Sequence, residues 1–192
     1  MLLNEKNVIN KINRKKIFLA FFIFSLFTLF KKVLYYILMH VFEKNIKDLD
    51  LIIPNMVMPI ANYVPYKISN HILYISGQGP FKDGTVLYEG KVGKDVTEDA
   101  GIDAAKLCCI NIIAALKHAI KGNWDQLDHF IKLGGFVNCE NSYINHPKII
   151  NGASDLLVKI FEEKGKHARF AVGSNSLPLN MSVEIEATIK LS

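Results

Sequence analysis

The sequence predicts an α+β domain with helices on one face of a sheet. Three observations predict it. Two long runs carry helix caps and helical periodicity. Strand-like runs rich in β-branched and aromatic residues lie before, between and after them. The last run alternates apolar and polar residues, the mark of a strand with one buried face.

"HILYISGQ" (71–78) reads as a strand ending at a glycine. "FKDGTVLYEG" places a Lys-Asp-Gly turn between strand-like pieces and predicts a hairpin. "DVTEDAGIDAAKLCCINIIAALKHAIKG" is the clearest helix. Thr97 caps it, Glu98 and Asp99 suit its positive end, and Gly122 follows the last turn. Ala105, Cys108, Cys109, Ile112, Leu116 and Ala119 give it a wide apolar face. "LDHFIKLGGFVN" reads as a strand interrupted at Gly134 and Gly135, and "KIINGASDLLVKIFEEKG" as a second helix stopped by Gly165. "ARFAVGS" and "MSVEIEATIKL" are the final strands; Val183, Ile185, Ala187 and Ile189 alternate with Glu184, Glu186 and Thr188.

The 192 residues suffice for one domain and an appendage. The net charge is +5, but its distribution argues against a polyanion footprint. Residues 1–50 hold nine Lys/Arg against four acids, whereas residues 51–192 hold 14 of each sign. The basic surplus belongs to the N-terminal segment, and no nucleic-acid partner is expected. Cys108, Cys109 and Cys139 make an odd number, read as reduced and buried. Histidine and cysteine spacings show no metal site.

"NRKKIFLAFFIFSLFTLFKK" sets 14 uncharged residues, 17–30, between basic flanks. That length fits a signal-peptide core better than a spanning helix, which needs about 20 apolar residues. If Lys31 and Lys32 snorkel, "VLYYILMHVF" extends the run into a signal anchor. Residues 1–50 are therefore expected to be a targeting or anchor segment with a linker, "EKNIKDLDLIIPN" joining it to a domain over 51–192. The expected location is an organelle or membrane surface, with cytoplasm or mitochondrion as alternatives.

Arg169 is the one arginine among the 14 cations of residues 51–192. Its planar fork holds a carboxylate with two parallel hydrogen bonds, which lysine cannot do. A pairing with Glu184 or Glu186, stapling two strands, is the other reading of the same residue.

"HARFAV…LPLNMSVEIEA", with "YISGQGP" and "NYVPY" upstream, resembles the signature of the YjgF/RidA family, the reactive-intermediate deaminases also labelled L-PSP endoribonucleases. The resemblance covers about residues 55–192. It implies a chorismate-mutase-like mixed sheet with two helices on one face, and a homotrimer with clefts between subunits. It implies that Arg169 grips a substrate carboxylate and that Glu184 orients or activates water. Tyr63, Ser76 and Asn151 are implied as pocket residues, with the backbone around Ala171 facing the substrate. Ala171 and His167 depart from the family pattern, which often has cysteine and proline there.

The implied reaction is hydrolysis of reactive 2-imino acids, such as 2-iminopropanoate, to 2-oxo acids and ammonia. The imine is already activated, so neither metal nor organic cofactor is implied. The alternatives are a non-catalytic ligand-binding or chaperone-like trimer, and a single-stranded RNA endoribonuclease.

Overall fold

The computed structural model describes Phe24, Leu26, Phe27, Leu29, Phe30, Val33 and residues 39–56 and 62–192. The chain divides into two compact units, Met1–Lys44 and Asn45–Ser192.

In the first unit Phe24, Leu26, Phe27, Leu29, Phe30 and Val33 are helical and exposed. The rest of the apolar run 17–30 lies outside the described residues. No helix among the described residues is long and apolar enough to cross a membrane.

The stretch read as a linker contains most of a helix, α1 (Val41–Asp48). Glu43 lies in its first turn and Lys47 in its last, as the helix dipole favours. Ile46 is buried, and Asn45 Nδ2 donates to the Ile160 carbonyl at 2.8 Å. Ile46 alone among five polar neighbours gave too little apolar periodicity to signal this helix.

The second unit is a five-stranded sheet with two long helices. In chain order it contains β1 (Tyr66–Ser69), β2 (Ile72–Gln78), β3 (Phe81–Lys82), β4 (Thr85–Val86), α2 (Glu98–Ala119), β5 (Leu127–Asn138), α3 (His146–Phe161), β6 (Ala168–Ser174) and β7 (Val183–Leu191). The sheet order is β1-β2-β7-β5-β6. Only β5 and β6 pair in parallel, which makes the sheet mixed. A parallel pair needs a crossover, and α3 supplies it. β3 and β4 form the predicted hairpin, with Asp83 and Gly84 at positive φ in its turn.

α2 packs on β2 and β7, and α3 on β5 and β6. Thr97 caps α2 as expected, its hydroxyl accepting from the Ala100 N–H at 3.2 Å. Ile112, Ile113 and Leu116 of α2 and Ile149, Ile150 and Leu157 of α3 are fully buried. The α2 residues meet the inward row of β7, where Val183, Ile185 and Ile189 are equally buried. Burial of one such side chain stabilises by roughly 1.5–3 kcal/mol, so this layer holds the fold.

Three local expectations differ from what is found. β5 runs unbroken through both glycines. A Cβ on Gly135 would stand 2.7 Å from Ile150 of α3, and one on Gly134 would stand 2.6 Å from the Phe170 ring. The glycines therefore admit neighbours on opposite faces of the strand rather than ending it. α3 starts earlier than expected, at His146, with Pro147 in its first turn, and gives way to a 3₁₀ turn, Glu162–Gly165, before Gly165. β1 was not anticipated. It joins β2 through Asn70 and His71, both at positive φ, where Asn-Gly would have been the recognisable signal.

Candidate functional site

The βαβ unit β5-α3-β6 builds the first cluster. β6 is an edge strand, and its alternate residues Arg169, Ala171 and Gly173 point toward α3. Arg169 Nη1 donates to Asn151 Oδ1 at 2.9 Å and to Ser154 Oγ at 3.0 Å. Asn151 and Ser154 are three residues apart, so they sit on one face of α3. Among the described residues nothing accepts from Arg169 Nε or Nη2. One nitrogen is thus anchored to the helix while the rest of the fork stays open. The staple to Glu184 or Glu186 is not what the structure holds: no ion pair joins Arg169 to either.

His167 completes this cluster. Its Nε2 lies 3.0 Å from Ser154 Oγ and its Nδ1 2.7 Å from the Gly165 carbonyl. Burial lowers its pKa; the Gly165 bond opposes that shift, and the charge of Arg169 adds to it.

The second cluster lies on the opposite face of the sheet. Glu184 on β7 is aligned with Phe136 of β5, which is aligned with Val172 of β6. Arg169 is therefore two strands and three residues away, about 10 Å in each direction, before the opposite orientation of the side chains is added. Glu184 lies over Gly77: a Cβ there would stand 2.1 Å from Glu184 Oε1. An irregularity between Ile75 and Gln78 in the β2–β7 register places Gly77 beneath the carboxylate. Burial raises the Glu184 pKa above the ordinary carboxylate value.

Ser76 is next to Gly77, but its hydroxyl donates to the Val64 carbonyl at 2.8 Å. It pins the segment carrying Tyr63, whose side chain is exposed. Ala171 contributes no polar side chain. One chain thus joins Arg169 with Asn151, and Glu184 with the Ser76–Gly77 turn, but it does not join the two groups. Ser154 and His167 were not singled out as site residues. The signal was their spacing, three residues from Asn151 and two from Arg169.

A third pair, Cys139 Sγ and His146 Nε2, is 3.3 Å apart. Burial raises the pKa of this thiol, which keeps it protonated. Cys108, Cys109 and Cys139 are free and buried. No group of three or more metal-ligating side chains occurs among the described residues.

The Glu184 shift carries a prediction for stability. The folded chain binds this proton more tightly than the unfolded chain. The favourable contribution is complete below the unfolded glutamate value and is lost as pH rises through the folded one. Glu184→Gln should therefore be more stable than wild type at neutral pH, and this advantage should vanish near about pH 4. Urea melts at the two pH values check it; equal stability at neutral pH would show that the carboxylate is not strained by burial.

A mixed sheet bearing two helices on one face is the chorismate-mutase-like class; here a cationic fork and a half-buried carboxylate lie on its two sides. Residues 43–187 match the family model described as "YjgF/chorismate mutase-like, putative endoribonuclease". The chain belongs to this family. It is 36% identical over 149 residues to Protein TCP17 of Trypanosoma cruzi, covering 77% of this chain and 92% of that protein. The solved structure of Atu1372 from Agrobacterium tumefaciens, a protein of unknown function, is 41% identical with a TM-score of 0.75, over 79% of this chain and 93% of that one. A structure from Shewanella oneidensis, described as "a putative endoribonuclease", is 36% identical with a TM-score of 0.76, over 79% of this chain and all of that one.

Proposed function

We propose that the protein hydrolyses 2-imino acids to 2-oxo acids and ammonia. The observation that carries this reading is the half-anchored fork of Arg169. With Nη1 held by Asn151 and Ser154, Nη2 and Nε are oriented for a planar carboxylate. A 2-imino acid carries its electrophilic C=N carbon directly beside that carboxylate, so gripping one end places the other. Glu184, with its raised pKa, is suited to hold a water and take its proton near neutral pH.

The two groups face opposite sides of one sheet, so a complete site requires a second copy of the chain. A closed trimer brings the Arg169 side of one subunit to the Glu184 side of the next. The sheet face opposite the helices fits such an interface: Tyr74, Phe136 and Val172 are all exposed there.

The test generates 2-aminoacrylate with a serine dehydratase and traps its imine with semicarbazide; the protein should reduce the trapped yield. Mixing equal amounts of Arg169→Ala and Glu184→Gln chains should restore roughly a quarter of the sites by random assortment. No rescue would place both residues in one subunit's site and sink the shared cleft. The family description favours RNA cleavage as a second reading. The balanced charge of residues 51–192 opposes it. A salt-sensitive RNA affinity that survives Arg169→Ala would support it instead.

Residues 17–30 are proposed to direct the chain to a membrane system. Fused to a soluble reporter, residues 1–50 should take it there, and a diffuse cytosolic reporter would contradict this.

A further inference from the structure

We propose that His167, acting through Ser154, is a second proton acceptor of the Arg169 pocket. The inference rests on the carboxylate-binding reading of Arg169. The hydrogen bonds fix the direction of the relay. The Gly165 carbonyl can only accept, so His167 Nδ1, 2.7 Å away, carries the ring proton. Nε2 is then a bare lone pair, and the Ser154 hydroxyl donates to it at 3.0 Å. Arg169 Nη1 donates to the same serine oxygen, also at 3.0 Å. The hydroxyl is polarised from both ends: a cation supports negative charge on its oxygen while an imidazole draws its proton. Its oxygen has a second acceptor site for a substrate proton.

A simple staple between α3 and β6 needs only the serine–histidine bond. The substrate-gripping guanidinium on that same oxygen is what a staple leaves unexplained. The electrostatics agree. Burial first, and then the Arg169 charge, keep the imidazole neutral and able to accept. Among the other ionised groups nearby in sequence or strand register, Lys166 is paired with Glu163 at 2.6 Å, and Lys132 lies over the Phe170 ring.

The chemistry has a place for this relay. Glu184 takes a proton from water as the C–O bond forms, and the C=N π pair moves to nitrogen. That proton passes to nitrogen, giving a carbinolamine. In the collapse, the carbinol hydroxyl gives its proton to Ser154 Oγ while Ser154 passes its own to His167 Nε2. The imidazolium returns the proton through Ser154 to the carbinolamine nitrogen, the C=O bond forms, and the C–N bond breaks with its pair on that protonated nitrogen. Ammonia leaves and the relay is restored.

The test uses the full-length protein. His167→Gln still accepts a hydrogen bond from Ser154 but not its proton. It should lower kcat on the order of 100-fold, with KM and calorimetric pyruvate affinity near wild type. It should also change the acid side of the kcat–pH profile, leaving only the limb that Glu184 contributes. Ser154→Ala should act alike, and the double variant should lose little more. A His167→Gln protein with wild-type kcat and pH profile would overturn the relay and leave the deaminase reading standing.

The nitrogen-15 spectrum of the wild-type imidazole is an independent readout. It should show the proton on Nδ1 at neutral pH, and pyruvate should shift the Nε2 resonance. A proton on Nε2, or no response to pyruvate, would overturn the relay whatever the variants do. If imine turnover is absent but Nε2 responds to pyruvate in wild type and not in Ser154→Ala, the deaminase reading fails while the proton acceptor at the carboxylate site stands.

Discussion

Gly152→Ala should destabilise the domain by roughly 2 kcal/mol and lower its Tm by about 4–8 °C. Gly152 lies in the middle of α3, where alanine would ordinarily help by about 1 kcal/mol through helix propensity. The packing reverses that sign. A Cβ at this position would stand 2.3 Å from the Ile102 carbonyl oxygen and 3.1 Å from the carbon bearing it. The obstacle is backbone of α2, which cannot rotate aside as a side chain could. The helices must separate, and both are seated in a tightly packed core. Overpacking of this kind costs about 1–3 kcal/mol, with larger costs where backbone is displaced, so it exceeds the propensity gain. The effect should extend to the site. Asn151 and Ser154 flank Gly152 on the helix that holds Arg169, so a shifted α3 loosens the fork as well. Urea unfolding measures the loss, and calorimetric binding of a 2-oxo acid reports the loosening. A variant as stable as wild type would show that α2 and α3 do not approach this closely.

Local chemistry was legible where one residue decides one contact. Thr97 followed by Glu98 and Asp99 declared the start of α2, and the alternation from Val183 to Leu191 declared both the strand and its buried face. The bounds of β6 follow from its β-branched and aromatic content between a glycine turn and a serine. Features that depend on distant neighbours were not legible. Gly134 and Gly135 look like breaks until Phe170 and Ile150 are placed against them. The partners of Arg169 lie 15 and 18 residues upstream and reach it only because α3 is the crossover between parallel strands. The separation of Arg169 from Glu184 was also hidden. Their spacing of fifteen residues says nothing of strand order, and β5 intervenes between β6 and β7. The pairing of Arg169 with Glu184 across two strands gives way to side chains on opposite faces of one sheet.

Arg169→Lys is expected to lower kcat/KM for a 2-imino acid about 10- to 100-fold while leaving folding and assembly intact. Lysine keeps the charge, so long-range attraction of the anion survives. It places all its donors on one nitrogen. In the structure, Nη1 alone satisfies Asn151 and Ser154, and the remaining edge of the fork is open. A lysine ammonium that keeps those two bonds has one donor left and cannot define the plane of a carboxylate. The loss is about one charged hydrogen bond, roughly 1.5–3 kcal/mol, which gives the stated range. Because the fork fixes the C=N carbon as well as the carboxylate, kcat should fall with kcat/KM. Arg169→Ala should cost more, since it also removes the charge and leaves Asn151 and Ser154 without their donor. Light scattering should report the wild-type assembly for both variants, which separates a lost grip from a lost interface. If the lysine variant turns over at the wild-type rate, charge alone suffices, and the geometry of the fork is not what selects this arginine.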